Sequence, residues 1–247
     1  MEPDLLRVAV VTPTYGRAVY LSRTLDYFRA QKRRGMELHW FILDDGPDAH
    51  PVLSARGLPD VSYDWQPTRM LLGAKRNRLN EMALAWGAHF VCAMDDDDWY
   101  GPSYVADMVG MSRDSDGHFA GSYRTYYYDI STGNILLAQT APRGSSGNGV
   151  LCYRAAALQA ARYPDGAASG EDRVFLGDNA VLQHPDISLV HLALLHGRNT
   201  EDKRVLLRSA DVRGDMSLAS FAMRVEDAAF YQDLHKQAAR AGHDLMS

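Results

Sequence analysis

The sequence has 247 residues, with 26 Lys and Arg against 31 Asp and Glu, so its formal net charge is −5. Apolar residues make up 46% and charged residues 23%, as in an average globular protein, which excludes a disordered, collagenous or coiled-coil chain. A mildly acidic chain is also a poor candidate for sequence-independent binding to nucleic acid.

The sequence carries no obvious membrane or export signal. No apolar run approaches the roughly 20 residues that a membrane span needs, and the first residues lack the basic and then apolar blocks of a signal peptide. Cys92 and Cys152 lie in apolar stretches, which is typical of buried thiols in a reducing compartment. We therefore expect a cytoplasmic protein.

The first half of the chain alternates between strand and helix signals. Short apolar, β-branched runs predict strands, and apolar residues at spacings of three and four predict helices. The predicted strands cover residues 7–12, 38–43, 61–65 and 89–94, and the predicted helices cover residues 20–31 and 74–86. Such alternation favours a mostly parallel sheet with helices on both faces, in which ligands bind beyond the carboxyl ends of the strands.

The second half has a different pattern. A tyrosine-rich strand over 121–129, a turn and a second strand over 135–138 predict a hairpin, which adds an antiparallel component. A loop rich in Gly and Ser is expected at 142–149. Helices are predicted over 155–162, from residue 170, and over 217–241, with a strand over 188–195.

Four consecutive aspartates, Asp95 to Asp98, follow the fourth predicted strand. Their mutual repulsion near a buried strand end calls for a cation, and carboxylate oxygens suit Mg²⁺ and Mn²⁺. A solvated acidic turn that caps the helix after Pro102 is the simpler alternative. The cation is favoured because two other polar strand ends, at 12–17 and 44–46, are expected at the same edge of the sheet.

Several further residues are ambiguous when taken alone. Arg69, Lys75, Arg76 and Arg78 surround the start of a helix, where the dipole favours anions, so they indicate either a phosphate-bearing ligand or a solvated basic surface. The dipole alone would explain Glu171 and Asp172 at the start of another helix. A lone histidine such as His196, after an apolar strand, is more often a hydrogen-bonded core residue than a ligand.

Taken together and in order, these segments resemble the inverting, metal-dependent glycosyltransferases of family 2. The resemblance runs from about Val8 to about Asn199, most of the chain. Six segments carry it: residues 12–17, 43–46, 73–77, 95–102, 149–154 with 169–172, and 196–200. It implies the GT-A fold, an α/β architecture with a Rossmann-like, mostly parallel sheet, a small antiparallel element and a C-terminal helix.

The resemblance also implies roles for individual residues. Those implied to bind the nucleotide sugar are Thr12, Pro13, Thr14, Tyr15, Arg17, Asp44 or Asp45, Lys75, Arg76, Asn77, Asp95, Asp96, Arg198 and Asn199. Asp97, Asp95 and His196 would hold the metal, Mn²⁺ or Mg²⁺. Asp172, with Glu171 beside it, matches the base that deprotonates the acceptor. A register shifted by one, to Asp96 and Asp98, is left open by the four aspartates.

The implied reaction transfers a sugar with inversion from a nucleotide-diphosphate sugar, a UDP-sugar being favoured, to an acceptor hydroxyl or other nucleophile. The alternatives are a nucleotidyltransferase of similar fold and a non-catalytic nucleotide-sugar or metal-binding module. Thr12 to Arg17 contains one glycine, which counts against the first alternative. The acceptor is left open: a saccharide, a peptide, a natural product, a lipid-linked sugar or a modified nucleobase.

The expected organisation is a single domain over 1–210 and a helical extension over 211–247. In the implied fold, the nucleotide-binding half covers about 1–100 and the acceptor-binding half about 101–210. The amphipathic extension is expected to pack either on the domain or on a second copy of the chain, in a homodimer.

Overall fold

The computed structural model describes residues 5–51, 53, 57–115, 117–196 and 210–244, without the side chains of 241–244. Its main sheet has seven strands in the order β10-β6-β9-β4-β1-β2-β3. These strands are β1 (Leu6–Thr14), β2 (Met36–Asp44), β3 (Val61–Trp65), β4 (Phe90–Ala93), β6 (Phe119–Gly121), β9 (Cys152–Arg154) and β10 (Val181–Gln183). β1 to β4 are parallel, whereas β9 runs antiparallel between β4 and β6.

A second sheet of five strands covers one end of the first. Its order is β12-β8-β7-β11-β5, built from β5 (Trp99–Tyr100), β7 (Arg124–Asp129), β8 (Ile135–Gln139), β11 (His191–Leu195) and β12 (Asp211–Val212). β7 and β8 form the predicted antiparallel hairpin, with Tyr126 opposite Leu137. The mixed α/β architecture predicted from the sequence is confirmed.

Helices pack on both faces of the main sheet. Successive side chains of β1 point to opposite faces, so that each face offers apolar residues to a helix. The helices are α1 (Ala18–Ala30), α2 (Leu72–Trp86), α3 (Tyr104–Arg113), α4 (Glu171–Leu176) and α5 (Val225–Asp244). Val8 and Val10 join the apolar cluster that contains Leu21 of α1. Ala9 and its alternate neighbour Val11 join the cluster that contains Leu79 of α2. The strand ends therefore emerge between two helical layers.

Four predicted elements differ from the structure. The single strand over 121–129 is divided, because the Ser122 hydroxyl bonds to both backbone groups of Arg124 in a turn between the two sheets. The helix over 155–162 is a short 3₁₀ helix, Ala155–Gln159, with no buried residue to hold a longer one. The strand predicted from 188 begins at His191, after a 3₁₀ turn that Asp186 caps.

The predicted C-terminal helix is also shorter at its start. A 3₁₀ turn, Leu218–Ser220, precedes an extended Phe221, whose ring packs against Trp99 and Tyr126. α5 follows, and its Tyr231 is buried against Tyr128. The extension thus packs on the domain, one of the two expected arrangements. None of the helices in the described part of the chain is long and apolar enough to cross a membrane.

Two helical glycines are expected to respond in opposite ways to alanine. A Cβ on Gly73 would lie 2.0 Å from the backbone oxygen of Pro164, whereas one on Gly110 would meet nothing within 4 Å. We expect Gly73→Ala to lower the free energy of unfolding by about 1–3 kcal/mol, because the backbones must separate. Gly110→Ala should raise it by about 0.5–1 kcal/mol through helix propensity. Urea unfolding of both variants measures the two changes in the free energy of unfolding. Stabilisation by Gly73→Ala would contradict the close approach of Gly73 to Pro164.

Candidate functional site

The four aspartates after β4 lie in four different environments. Asp95 is the most exposed, with 29% of its side chain accessible, and the other three are buried. Asp98 is bound to the second sheet: one oxygen accepts the Leu194 amide at 2.9 Å and the other lies 3.1 Å from His191 Nε2. Both oxygens of Asp98 thus hold β11 in place, which argues against the shifted register of the acidic motif.

Asp96 is held by the loop that follows β1. Its carboxylate accepts hydrogen bonds from the Thr14 hydroxyl and from Arg17 Nη1, the latter at 2.8 Å. Burial and the neighbouring Asp97 raise the pKa of Asp96 to about 7, against the opposing effect of Arg17. Asp96 therefore contributes to the shape of the site and is a poor metal ligand.

Asp97 has the neighbours expected of a metal-binding carboxylate. Its Oδ2 lies 2.8 Å from Arg17 Nη1 and 2.9 Å from His196 Nε2, and the imidazole stacks on Tyr20 with ring centroids 5.3 Å apart. Within residues 5–196 and 210–244, apart from the short gaps given above, no three His, Cys, Asp or Glu side chains converge as a ready metal site. Mg²⁺ is commonly bound by one or two carboxylates together with substrate phosphates and water, and Asp97 and Asp95 fit that mode.

A cavity of about 1310 Å³ opens beside these aspartates, and we call it the donor-side cavity. Tyr15 and Arg69 line it, and the Arg69 guanidinium lies 3.5 Å from the centroid of the Tyr15 ring. Lys75 also lines it and donates to the Thr14 carbonyl at 2.6 Å while pairing with Asp45. Burial lowers the pKa of Lys75, although Asp45 opposes this. The cavity thus combines an aromatic ring with several cations.

A second cavity, of about 560 Å³, adjoins the first, and we call it the acceptor-side cavity. The two share Pro13, Arg17, Leu72, Asp96 and Ser169. Asp95, Asp97 and Asp172 line the second cavity. Polar groups dominate its remaining wall: Thr125, Tyr127, Thr140, Ser145, Ser146, Asn148 and Arg173.

The tyrosine-rich strand divides its side chains between this cavity and the core, as the alternation of β7 requires. Tyr127 lines the acceptor-side cavity. Tyr126 and Tyr128 point the other way, onto Phe221 and Tyr231. Only part of the tyrosine set therefore faces the cleft.

Glu171 and Asp172 begin α4 but have different surroundings. Glu171 is buried, and its Oε1 accepts Arg76 Nε at 2.7 Å and Asn148 Nδ2 at 3.0 Å. Burial alone would raise the pKa of Glu171, but Arg76 and these hydrogen bonds hold it below its usual value. Asp172 is half-buried and its Oδ1 accepts the Arg173 amide at 2.8 Å. Asp172 is therefore the better placed of the two for a reaction in the cavity.

Four residues predicted to bind the nucleotide sugar line neither cavity, and three of them bond to core or loop groups as follows. The Thr12 hydroxyl accepts from Trp40 Nε1 and donates to the Met94 carbonyl inside the core. Asp44 accepts from the Gly46 amide and the Tyr63 hydroxyl. Asn77 bonds to both backbone groups of Tyr163. In this structure the polar atoms of these three side chains bond to groups of the fold, and their expected role in binding the nucleotide sugar stays a prediction.

The other predicted residues are distributed as follows. Pro13 and Arg17 line both cavities, and Thr14, Tyr15 and Lys75 line the donor-side one. Asp45 does not line it but contacts two residues that do, Lys75 and Met70. Arg76 lines only the acceptor-side cavity. His196 lines the donor-side one. Arg198 and Asn199 lie outside the described residues.

One contributor, Tyr100, was not predicted from the sequence. Tyr100 donates its hydroxyl to the Gly149 carbonyl at 2.6 Å and accepts the Asp95 amide at 2.7 Å, which joins the acidic motif to the loop before β9. Asn148, in the same loop, bonds to Glu171. The Gly- and Ser-rich composition of that segment was the available signal, but it predicts a loop without saying which residue points inward.

Residues 9–161, more than half of the chain, match the family model described as Glycosyl transferase family 2. The chain belongs to that family. No curated protein matches the sequence significantly.

Several solved structures have a similar fold. The S. aureus TarS fragment 1–349 in complex with UDP-GlcNAc is 18% identical, with a TM-score of 0.60 over 84% of this chain and 62% of that one. The mannosyltransferase PcManGT from Pyrobaculum calidifontis, in complex with GDP-Man and Mn²⁺, is 14% identical, with a TM-score of 0.56 over 96% of this chain and 75% of that one. At such identities the likeness shows the fold, which is GT-A as predicted. The chain spans about 60% of the length of the TarS fragment.

Proposed function

We propose that this chain transfers a sugar from a nucleotide-diphosphate sugar to an acceptor hydroxyl or other nucleophile, with inversion at the anomeric carbon. The observation that carries the proposal is the pair of adjoining cavities. One combines Tyr15 with the cations Arg69 and Lys75, and the other contains Asp172. A nucleoside diphosphate matches the first, because its base can stack and its phosphates need positive charge.

In the proposed reaction the acceptor binds in the second cavity and Asp172 accepts the proton of its hydroxyl. The acceptor oxygen forms a bond to the anomeric carbon as the bond from that carbon to the diphosphate oxygen breaks. The nucleoside diphosphate leaves with the electron pair of that bond. Arg17, which lines both cavities and pairs with Asp96 and Asp97, would lie beside the departing phosphates.

We propose Asp97 and Asp95, with His196 beside Asp97, as the residues that would hold Mn²⁺ or Mg²⁺. When bound, the cation would neutralise the charge that grows on the leaving diphosphate. The donor set supports this, since carboxylate oxygens suit both ions. The Mn²⁺ in the PcManGT complex is a further argument from a protein of the same fold.

The donor base is expected to be uracil, and the complex of TarS with UDP-GlcNAc supports that choice, whereas GDP-Man in PcManGT is the competing precedent. The division into a nucleotide-binding half over about 1–100 and an acceptor-binding half over about 101–210 belongs to the same proposal. A cytoplasmic location, supported by the free buried thiols of Cys92 and Cys152, and a homodimer through α5 stay predictions.

Thermal unfolding with a panel of nucleotides tests the proposal. The midpoint is measured with UDP, GDP, UDP-GlcNAc and GDP-mannose, each with Mn²⁺ and then with excess EDTA. A ligand present at a hundredfold excess over its Kd stabilises the fold by about 2.7 kcal/mol, so one nucleotide series should raise the midpoint in a metal-dependent way.

Release of nucleoside diphosphate from the selected nucleotide sugar then distinguishes an enzyme from a binding module. A parallel arm with nucleoside triphosphate and sugar phosphate tests nucleotidyl transfer, seen as release of pyrophosphate. Absence of any nucleotide-dependent shift would overturn the glycosyltransferase assignment for this chain.

A further inference from the structure

A buried arginine connects two acidic groups that line the acceptor-side cavity. Arg76, in the second turn of α2, is only 6% exposed. Its Nε donates to Glu171 at 2.7 Å and its Nη2 donates to Asp95 at 3.3 Å. Asp95 follows β4 and Glu171 begins α4, so one guanidinium joins the acidic motif to the helix that carries Asp172.

The same network continues beyond Glu171. Asn148 donates to the Glu171 carboxylate and accepts the Tyr163 hydroxyl at 2.9 Å, and the Tyr163 ring stacks on Phe175 of α4 with centroids 3.9 Å apart. Glu171 is thereby fixed from two sides. This matters because Gly170, which precedes α4, provides no side-chain cap for the helix.

We infer that Arg76 is a positioning residue, which acts through Glu171 to fix Asp172 relative to Asp95. The inference rests on the proposed function, and it replaces the role in nucleotide binding that the sequence predicts for Arg76. Two observations support the replacement. Both carboxylates that Arg76 contacts line the acceptor-side cavity and not the donor-side one. Arg76 itself does not line the donor-side cavity, whereas its neighbour Lys75 does.

The chemistry of the side chain explains why arginine is needed. Two different nitrogens of a rigid planar group contact two carboxylates, and the single ammonium of lysine cannot reproduce that fork. The positive charge is also required, since removing it leaves two neighbouring carboxylates without their common partner. Arg76→Lys therefore keeps the charge and removes the geometry.

Steady-state release of nucleoside diphosphate, with the nucleotide sugar that the panel selects, separates the two roles. Because a misplacement of about 1 Å can cost on the order of 100-fold, Arg76→Lys is expected to lower kcat by about 10–100-fold. The Kd of the nucleoside diphosphate should change less than about twofold when it is measured by calorimetry in excess EDTA, since Arg76 does not line the donor-side cavity. EDTA is needed because Arg76 also contacts Asp95, a proposed metal ligand. Arg78→Lys is the matched control, because Arg78 lies on the same helix with more than half of its side chain exposed.

Tyr163→Phe is the second variant, for use if Arg76→Lys does not fold. It removes one hydroxyl that lines neither cavity and leaves the ring stacked on Phe175. We expect kcat to fall severalfold with an unchanged donor KM. Tyr104→Phe is the control: it also removes a buried tyrosine hydroxyl, in this case one that donates to the Ala93 carbonyl, and it should leave kcat unchanged.

A double-mutant cycle completes the test. If Arg76 acts through Glu171, the combined loss in Arg76→Lys with Glu171→Gln should be no larger than the greater single loss. Multiplicative losses would overturn the inference. So would a tenfold weaker donor Kd with an unchanged kcat, although the proposed glycosyltransferase would then stand. Failure of the unaltered chain to bind any nucleotide would instead refute the proposed function.

Discussion

Asp172→Asn is expected to lower the rate of nucleoside diphosphate release by about 10²–10⁴-fold, the usual contribution of a general base. The amide is nearly the same size as the carboxylate but cannot accept the proton of the attacking hydroxyl. The donor is not expected to depend on this carboxylate, because Asp172 does not line the donor-side cavity and is not among the residues proposed to hold the metal. The Kd of the nucleoside diphosphate should therefore be unchanged in calorimetry.

Asp178→Asn is the control for this prediction. Asp178 is exposed two residues after the end of α4, so its substitution makes the same chemical change away from the cavity. Its rate should equal that of the unaltered chain. An Asp172→Asn variant that retains full activity would exclude Asp172 as the base and return Glu171 to consideration.

The second large effect is expected at Asp97. Asp97→Asn should weaken the binding of a nucleoside diphosphate in the presence of Mn²⁺ by at least about 10–100-fold, because the loss of a group that only supports a metal ligand already costs that much. Binding in EDTA should be little changed. Calorimetric titration with UDP or GDP, with Mn²⁺ and with EDTA, measures both quantities.

Substitutions of two further aspartates serve as controls for the metal dependence. Asp48→Asn, at an exposed position after β2, should preserve the metal dependence. Asp98→Asn should lower the free energy of unfolding by about 1–3 kcal/mol, because its charged contacts hold β11, while the metal dependence persists. If Asp98→Asn abolished the metal effect and Asp97→Asn did not, the shifted register of the motif would be correct.

The donor side of the site was predictable because its strands can be recognised from the pattern of apolar residues in the sequence. β1, β2 and β4 are buried on both faces, so they appear in the sequence as continuous apolar runs with polar residues at their ends. The order of these strand ends predicted that residues 12–17, residues 44–46 and the four aspartates lie at one edge of the sheet. The sequence did not reveal which polar side chains turn inward, because that depends on neighbours such as Trp40, whose indole bonds to Thr12.

The acceptor side was less predictable. Its walls come from short elements, such as β9 and α4, whose positions depend on long-range pairing and not on local periodicity. Asn148 and Tyr163 are ordinary loop residues in the sequence, and only the fold brings them to Glu171. The different roles of the four aspartates could not be predicted either, since His191 and Arg17 are distant in sequence from the aspartates that they contact.

The reversed direction of β9 has a consequence for how acceptor preference can change. Because β9 is antiparallel to β4, its first residue lies at the edge where the parallel strands end. The loop ahead of it, residues 141–147, reaches the acceptor-side cavity without belonging to any strand that builds the donor side. We therefore expect that exchange of this one loop between chains of the same fold changes the preference for the acceptor and leaves the residues of the donor-side cavity unchanged.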